Sequence, residues 1–266
     1  MSRPTRRLLV VLATLVSVVA SGLAVPAAPA AAAAPRRAVF ETEVIGRTVE
    51  GRPIRAFHLA DPQVTRRRDR VVLFSTMHGN ERDTRHALRA LVDGPQVSGI
   101  DLWVVPVYNP DGLQRGTRKN ARGVDLNRNF PYRWADLDGN YESGARPASE
   151  PETRAAMRFL REVDPDYLLS FHQPLDGVDT DTKRPAFARQ VARALGLPER
   201  RLDCGGVCHG TMTGWFNHHF DGVALTVEYG VSPSRTHLTR TVPDQVLRIF
   251  GAGRGPVAAA PAAGVR

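Results

Sequence analysis

Three unbroken apolar runs restrict this chain to a sheet covered on both faces. Val71 to Met77 reads VVLFSTM, Tyr167 to Phe171 reads YLLSF, and Val223 to Val227 reads VALTV. Runs of this length without polar alternation suit strands sandwiched between helices. Each run leads into a residue type that binds metal or moves protons: His78-Gly79-Asn80-Glu81 after the first, His172 after the second, Glu228 after the third. Ligands of open α/β sheets sit outside the carboxyl ends of the strands, so these distant residues are expected to converge.

The rest of the chain alternates strand and helix signals. Residues 39 to 59 read as two strands around the turn Glu50-Gly51-Arg52-Pro53. The spacing of Ala87, Leu88 and Leu91 predicts a helix over Glu81 to Leu91, and Leu102 to Val107 reads as a further strand. The polar stretch from Asp111 to Ala148 shows no periodic element, and a loop of that length in a compact domain is read as functional. Ser149 and Glu152 match a capping box with Pro151 in the first turn, which predicts a helix starting at Ser149. Further helices are expected over Pro185 to Leu195 with a stop at Gly196, near Trp215, and from Val242 to Phe250. This order predicts a single α/β domain whose mixed, mostly parallel central sheet is flanked by helices.

Both ends of the chain lie outside that pattern. Arg3, Arg6 and Arg7 precede an almost wholly apolar run from Leu8 to Val25 and an alanine-rich stretch with A-x-A sites, so residues 1–34 read as a cleaved export signal. An uncleaved membrane anchor is the alternative, because the run has 18 residues. Residues 35–250 form the expected domain and 251–266 a low-complexity Ala/Gly/Pro tail that need not fold. Removing the signal takes away three arginines and lowers the formal charge from +9 to +6. The remaining basic residues are scattered, with no helical stripe interleaved with aromatics, which argues against nucleic acid. An anionic wall or surface polymer suits an exported basic protein better, so a secreted or wall-associated location is expected, with no membrane span once the signal is cut. Arg66-Arg67-Arg68, the one tight basic cluster, reads as a solvated loop. The only cysteines, Cys204 and Cys208, lie in CGGVC; they are candidates for a small disulfide loop, with metal binding as the rival reading.

His78 and Glu81 are three residues apart and reach one ion if the chain turns helically after the strand. His172 would complete two imidazoles and one carboxylate, the ligand count of a catalytic zinc that keeps a position open for water. Such a site retains positive charge, which acidifies water and polarises a carbonyl. Taken singly, each histidine could equally be a hydrogen-bonded structural residue.

At this point the sequence resembles the zinc carboxypeptidase family. The resemblance runs from GRTVEGRPI to Glu228 through HGNE (78–81), NPDG (109–112), RGVDLNRNFP (122–131), SEPET (149–153), FHQ (171–173) and VEYG (227–230), in family order. It implies an α/β sheet between helices, a zinc peptidase domain over 35–250, and one zinc ion held by His78, Glu81 and His172. It makes Glu228 the general base and Arg118 the residue that stabilises the oxyanion. Asn127 and Arg128 match the pair that grips a substrate's free carboxylate, and Asp125 the acceptor that orients His78.

The chain departs from the digestive carboxypeptidases. No tyrosine lies between Tyr167 and Glu228, where those enzymes carry a capping tyrosine; the region reads CGGVCHGTMTGW instead. The compact size and the segment His172 to Asp179 look more like the murein peptide amidase branch, whose members cut the γ-D-glutamyl to diaminopimelate bond of wall peptides. His209 is a candidate for lining this altered pocket or an ordinary loop histidine, and His218 and His219 read as surface residues. The expected activity is hydrolysis of an amide beside a free carboxylate, in a C-terminal residue or a wall peptide. A zinc deacylase of N-acyl amino acids resembling aspartoacylase, and a wall-binding module without turnover, are the alternatives.

Overall fold

A computed structural model describes residues 39–60, 69–202, 204–206 and 208–255. The export signal, Arg66-Arg67-Arg68 and most of the tail lie outside the described residues.

The strands are β1 (Glu41–Arg47), β2 (Pro53–Leu59), β3 (Arg70–Ser75), β4 (Val97–Ser98), β5 (Asp101–Val105), β6 (Tyr167–His172), β7 (Gly177–Asp179), β8 (Glu199–Arg200), β9 (Val223–Glu228) and β10 (Gly253–Arg254). The helices are α1 (Arg85–Val92), α2 (Pro110–Arg115), α3 (Pro151–Val163), α4 (Pro185–Leu195), α5 (Met212–His219) and α6 (Val242–Ile249). Eight strands form one sheet in the order β1-β2-β5-β3-β6-β9-β7-β8. β5, β3, β6 and β9 run parallel, whereas β1 with β2, β2 with β5, and β7 with β9 are antiparallel.

The apolar runs are continuous because successive side chains enter different cores. Val71 and Leu73 of β3, Leu169 and Phe171 of β6, and Val223, Leu225 and Val227 of β9 pack with α1, α4 and α6. Val72 and Phe74, Leu168, and Ala224 pack on the opposite face with α3 and α5. The same alternation carries His172 and Glu228, which pair in register at the ends of β6 and β9, to the α3/α5 side.

Four local expectations are corrected. Helix α1 begins at Arg85, so His78 and Glu81 sit on a turn closed by the Glu81 amide donating to the His78 carbonyl at 3.1 Å. Residues 111–148 are not free of regular structure: α2 starts inside NPDG, where the Asn109 side chain caps it by accepting from the Gly112 amide at 2.9 Å. Ser149 and Glu152 form no capping box. Helix α3 has Glu150 at its N-cap without a side-chain cap bond, Ser149 donates to Glu150 at 2.8 Å, and Glu152 accepts from the Val49 amide at 3.1 Å. Lastly, the chain beyond residue 250 does not leave the fold at once. Gly253–Arg254 pairs with Val97–Ser98, and the Arg254 guanidinium donates to the carbonyls of Ala90 (3.0 Å) and Pro95 (3.1 Å), taking up acceptors left open after α1.

Candidate active site

The turn that follows β3 is shaped by a close backbone contact. A side chain on Gly79 would place its Cβ 1.9 Å from the Gly112 carbonyl carbon, so only glycine lets HGNE lie against α2. That placement aims His78 and Glu81 across the sheet end toward His172. His78 Nδ1 lies 2.6 Å from Glu81 Oε1, His172 Nδ1 lies 2.9 Å from Glu81 Oε2, and the two Nδ1 atoms face each other at 3.3 Å. All three residues are buried.

The outer nitrogens are already engaged. His78 Nε2 bonds Asp125 Oδ1 at 3.1 Å, and His172 Nε2 bonds Ser170 Oγ at 2.8 Å. A proton held on each outer nitrogen leaves both Nδ1 lone pairs pointing inward. Two nitrogens bound tetrahedrally to one zinc at about 2.0–2.1 Å lie about 3.3 Å apart. The donor set and its spacing therefore fit a zinc ion, and His78, Glu81 and His172 form a candidate metal site among the described residues.

Electrostatics favour a cation at this point. Burial opposes charging His78, but the carboxylates of Glu81 and Asp125 outweigh it and lift its pKa to about 9. Burial likewise works against charge on Glu81 and Asp125, yet the neighbouring histidines hold Glu81, and His78 with Arg118 holds Asp125, below the usual carboxylate range. Asp125 does further work: its Oδ1 accepts the Asn127 amide at 2.9 Å and its Oδ2 accepts Arg118 Nε at 2.9 Å. Arg118 thereby holds Nη1 3.3 Å from His78 Nδ1 and 3.5 Å from Glu81 Oε1, beside the candidate metal ligands.

A cavity of about 580 Å³ opens from this cluster and is lined by the ligands together with Arg118, Asn127, Arg128 and Glu228. Glu228 is buried and accepts the Leu175 amide at 3.3 Å. Burial pushes its carboxyl above the ordinary 4.5, with His172 opposing and Glu81 adding to the rise. Asn127 Oδ1 is anchored by the Met212 amide at 3.0 Å, which leaves its NH₂ group as the free end. Arg128 is 3% exposed, donates to the Asn127 carbonyl at 2.8 Å, and keeps a buried Nε without a partner.

The site also contains residues the sequence reading missed. Ser170 is visible in hindsight as the one polar residue in YLLSF, two positions before His172 and so on the same strand face. Tyr141 gave no signal in its loop, yet its ring lies 4.7 Å from the Arg128 guanidinium carbon and 5.6 Å from that of Arg118. Cys204 and Cys208 are joined by a disulfide, with Cα atoms 5.2 Å apart, and both line the cavity. His209 turns to the Arg133 carbonyl at 3.0 Å. His218 is exposed, and it also stacks on Tyr132 with ring centres 4.1 Å apart at the cavity wall.

Comparison with known proteins agrees with this geometry. Murein peptide amidase A of Escherichia coli (strain K12) is 34% identical over 171 residues, covering 59% of this chain and 69% of that protein. Murein peptide amidase A of Vibrio campbellii is 29% identical over 167 residues, covering 58% and 65% respectively. The crystal structure of murein-tripeptide amidase from Escherichia coli O157 superposes with a TM-score of 0.64 at 28% identity, over 79% of this chain and 91% of that one. Carboxypeptidase A from Helicoverpa armigera shares the fold, with a TM-score of 0.65 at 18% identity over 80% of this chain and 68% of that one. The zinc carboxypeptidase profile matches residues 30–174, more than half the sequence and the stretch that carries His78, Glu81 and His172. By that match and that ligand set, the chain belongs to the zinc carboxypeptidase family.

Proposed function

We propose that this protein is an exported zinc peptidase that cleaves an amide beside a free carboxylate in a wall peptide, the substrate type named for its murein amidase relatives. The observation that carries the reading is the single cavity onto which the metal ligands, Glu228 and the part-satisfied guanidinium of Arg128 all open. A guanidinium that lines the cavity can donate two parallel hydrogen bonds to a substrate carboxylate.

His78, Glu81 and His172 would hold the zinc, which when bound polarises the scissile carbonyl and acidifies water. Glu228 takes the proton from the attacking water and passes it to the departing amine. Its burial suits both transfers, because a raised pKa lets the carboxyl hold the proton between them. Arg118, fixed by Asp125, places positive charge beside the reacting carbonyl and stabilises the negative charge that develops on its oxygen. Arg128 and the NH₂ of Asn127 bind the substrate carboxylate and so set which amide is presented. Export is supported by the basic and then apolar first 34 residues, together with a disulfide that suits an oxidising compartment. No helix among the described residues is long and apolar enough to cross a membrane.

The test is mass spectrometry of products from the zinc-loaded protein given muropeptides and ordinary peptides in parallel. Release of diaminopimelate-containing fragments supports the wall amidase, and loss of single C-terminal residues a general carboxypeptidase. No new amine from either substrate sinks the proposal.

A further inference from the structure

We infer that Tyr141 is a positioning residue for substrate recognition: its ring braces the guanidinium groups of Arg128 and Arg118 together, so that a substrate's carboxylate and its reacting carbonyl are received at a set separation. The inference rests on the peptidase reading above and adds to it the residue that holds the two arginines in place.

The contact is built by the long loop between α2 and α3. Tyr141 closes the short 3₁₀ turn Gly139–Tyr141. That turn is tied to the segment that carries Arg128: the Asp125 amide donates to the Glu142 carbonyl at 2.8 Å, and Asn129 Nδ2 donates to the Ser143 carbonyl at 2.7 Å. Ser143 Oγ accepts the Leu137 amide at 2.9 Å and the Glu142 carboxylate accepts the Gly144 amide at 3.0 Å, which close the loop on itself. On this frame Tyr141 packs in neither core; it is 37% exposed and lines the cavity. An aromatic side chain fixed in that way is held for what it touches and not for burial.

It touches both arginines. The Arg128 guanidinium carbon lies 4.7 Å from the ring centre and that of Arg118 5.6 Å, within the range of attraction between a cation and an aromatic face. Arg118 also pairs with Asp125 at 2.9 Å, whereas Arg128 has no ion-pair partner among the described residues. Its Nη1 donates to the Asn127 carbonyl at 2.8 Å, and the ring supplies a second contact of a different kind. Burial works most strongly against the charge on Arg128; Asp125 supports it, the like charge of Arg118 opposes it, and Tyr141 supports it, leaving the group below its ordinary value. Two guanidinium groups on one ring repel each other, and a face that attracts both offsets part of that repulsion without taking up their N–H donors. A carboxylate in the same place would bond those donors and compete with the substrate.

The test uses the zinc-loaded wild type, Tyr141→Phe and Tyr141→Leu on two peptides: alanyl-γ-glutamyl-diaminopimelate, and the same peptide with the carboxyl beside the scissile amide converted to a carboxamide. The readout is the ratio of kcat/KM for acid over carboxamide, which does not depend on the fraction of protein that is folded. Tyr141→Leu should lower this ratio about 3- to 30-fold, whereas Tyr141→Phe, which keeps the ring, should stay within about twofold of the wild type. With Arg128→Lys already in place, Tyr141→Leu should lower the ratio no further. Tyr141→Ser repeats the measurement should the leucine protein fail to fold. No preference for the acid in the wild type, an unchanged ratio in Tyr141→Leu, or an equal fall in Tyr141→Phe overturns the inference. Cleavage of neither peptide would overturn the peptidase reading instead; calorimetric titration of the same proteins with diaminopimelate and its monoamide then gives the ratio as affinities, and the same outcomes decide for or against Tyr141.

Discussion

The Nδ1 atoms of His78 and His172 face each other at 3.3 Å across a gap of 94 residues in the chain, with both oxygens of Glu81 directed at the same space. Two lone pairs and a carboxylate repel unless a cation lies among them. In the protein without metal, positive charge comes from the Arg118 guanidinium, whose Nη1 lies 3.3 Å from His78 Nδ1, and from a proton on His78, whose pKa the Glu81 and Asp125 carboxylates raise to about 9 against burial.

The metal-free protein should therefore lose stability in alkali. The folded pKa of His78, about 9, lies above its ordinary 6.5, so its contribution is complete below 6.5 and disappears as pH rises through 9. Glu81 and Asp125 have lowered pKa values; their contribution is present above their ordinary 4.5 and 3.8 and is lost on acidification. Calorimetry of chelator-treated protein should give the highest melting temperature between about pH 4.5 and 6.5, falling on both sides. Zinc should flatten the alkaline fall by replacing the proton. An alkaline limb that is equally steep with and without zinc would show that the ion does not bind these nitrogens.

Glu228→Gln should retain zinc and lose turnover by about 10²- to 10⁴-fold. In the wild type the acidic limb of kcat/KM should fall above 4.5, because burial raises the Glu228 pKa and activity is lost as pH drops through it. Comparable kcat values for variant and wild type would remove Glu228 from the mechanism.

Asp125→Asn should weaken zinc binding by about 10- to 100-fold through loss of the carboxylate that orients His78. Competition against a calibrated chelator measures this directly. Because Asp125 also fixes Arg118, kcat should fall even at saturating zinc. Wild-type zinc affinity in the variant would show that His78 is oriented by other contacts.

Gly79→Ala should destabilise the fold by at least about 1–3 kcal/mol, since the added Cβ meets rigid backbone at Gly112 and not a movable side chain. Gly123→Ala is the control: nothing lies within 4 Å, and only its φ of +78° opposes the change, which costs about 1–2 kcal/mol. Urea titration of both variants ranks them, and the opposite ranking would mean that the turn before Glu81 relaxes freely.

The ends of β6 and β9 at His172 and Glu228 are legible in the amino-acid order, because a strand buried on both faces is nearly all apolar and the first ionisable residue after the run marks its exit. Helix α4 is legible for a local reason too, with Pro185 at its start and Gly196 in the left-handed conformation at its close. The metal ligands belong in the same class once strand ends are known to share one crevice. Other features depend on partners that local patterns do not record. Ser149 and Glu152 have the spacing of a cap, but Glu152 is claimed by the Val49 amide, 103 residues away. Helix α2 is too short for periodicity and depends on the Asn109 cap and the contact with Gly79. Tyr141 against Arg128 acquires meaning only when long-range folding assigns the other donors and charges nearby. Patterning along the chain reports which side chains leave water; which polar groups then satisfy one another is decided by competition in three dimensions.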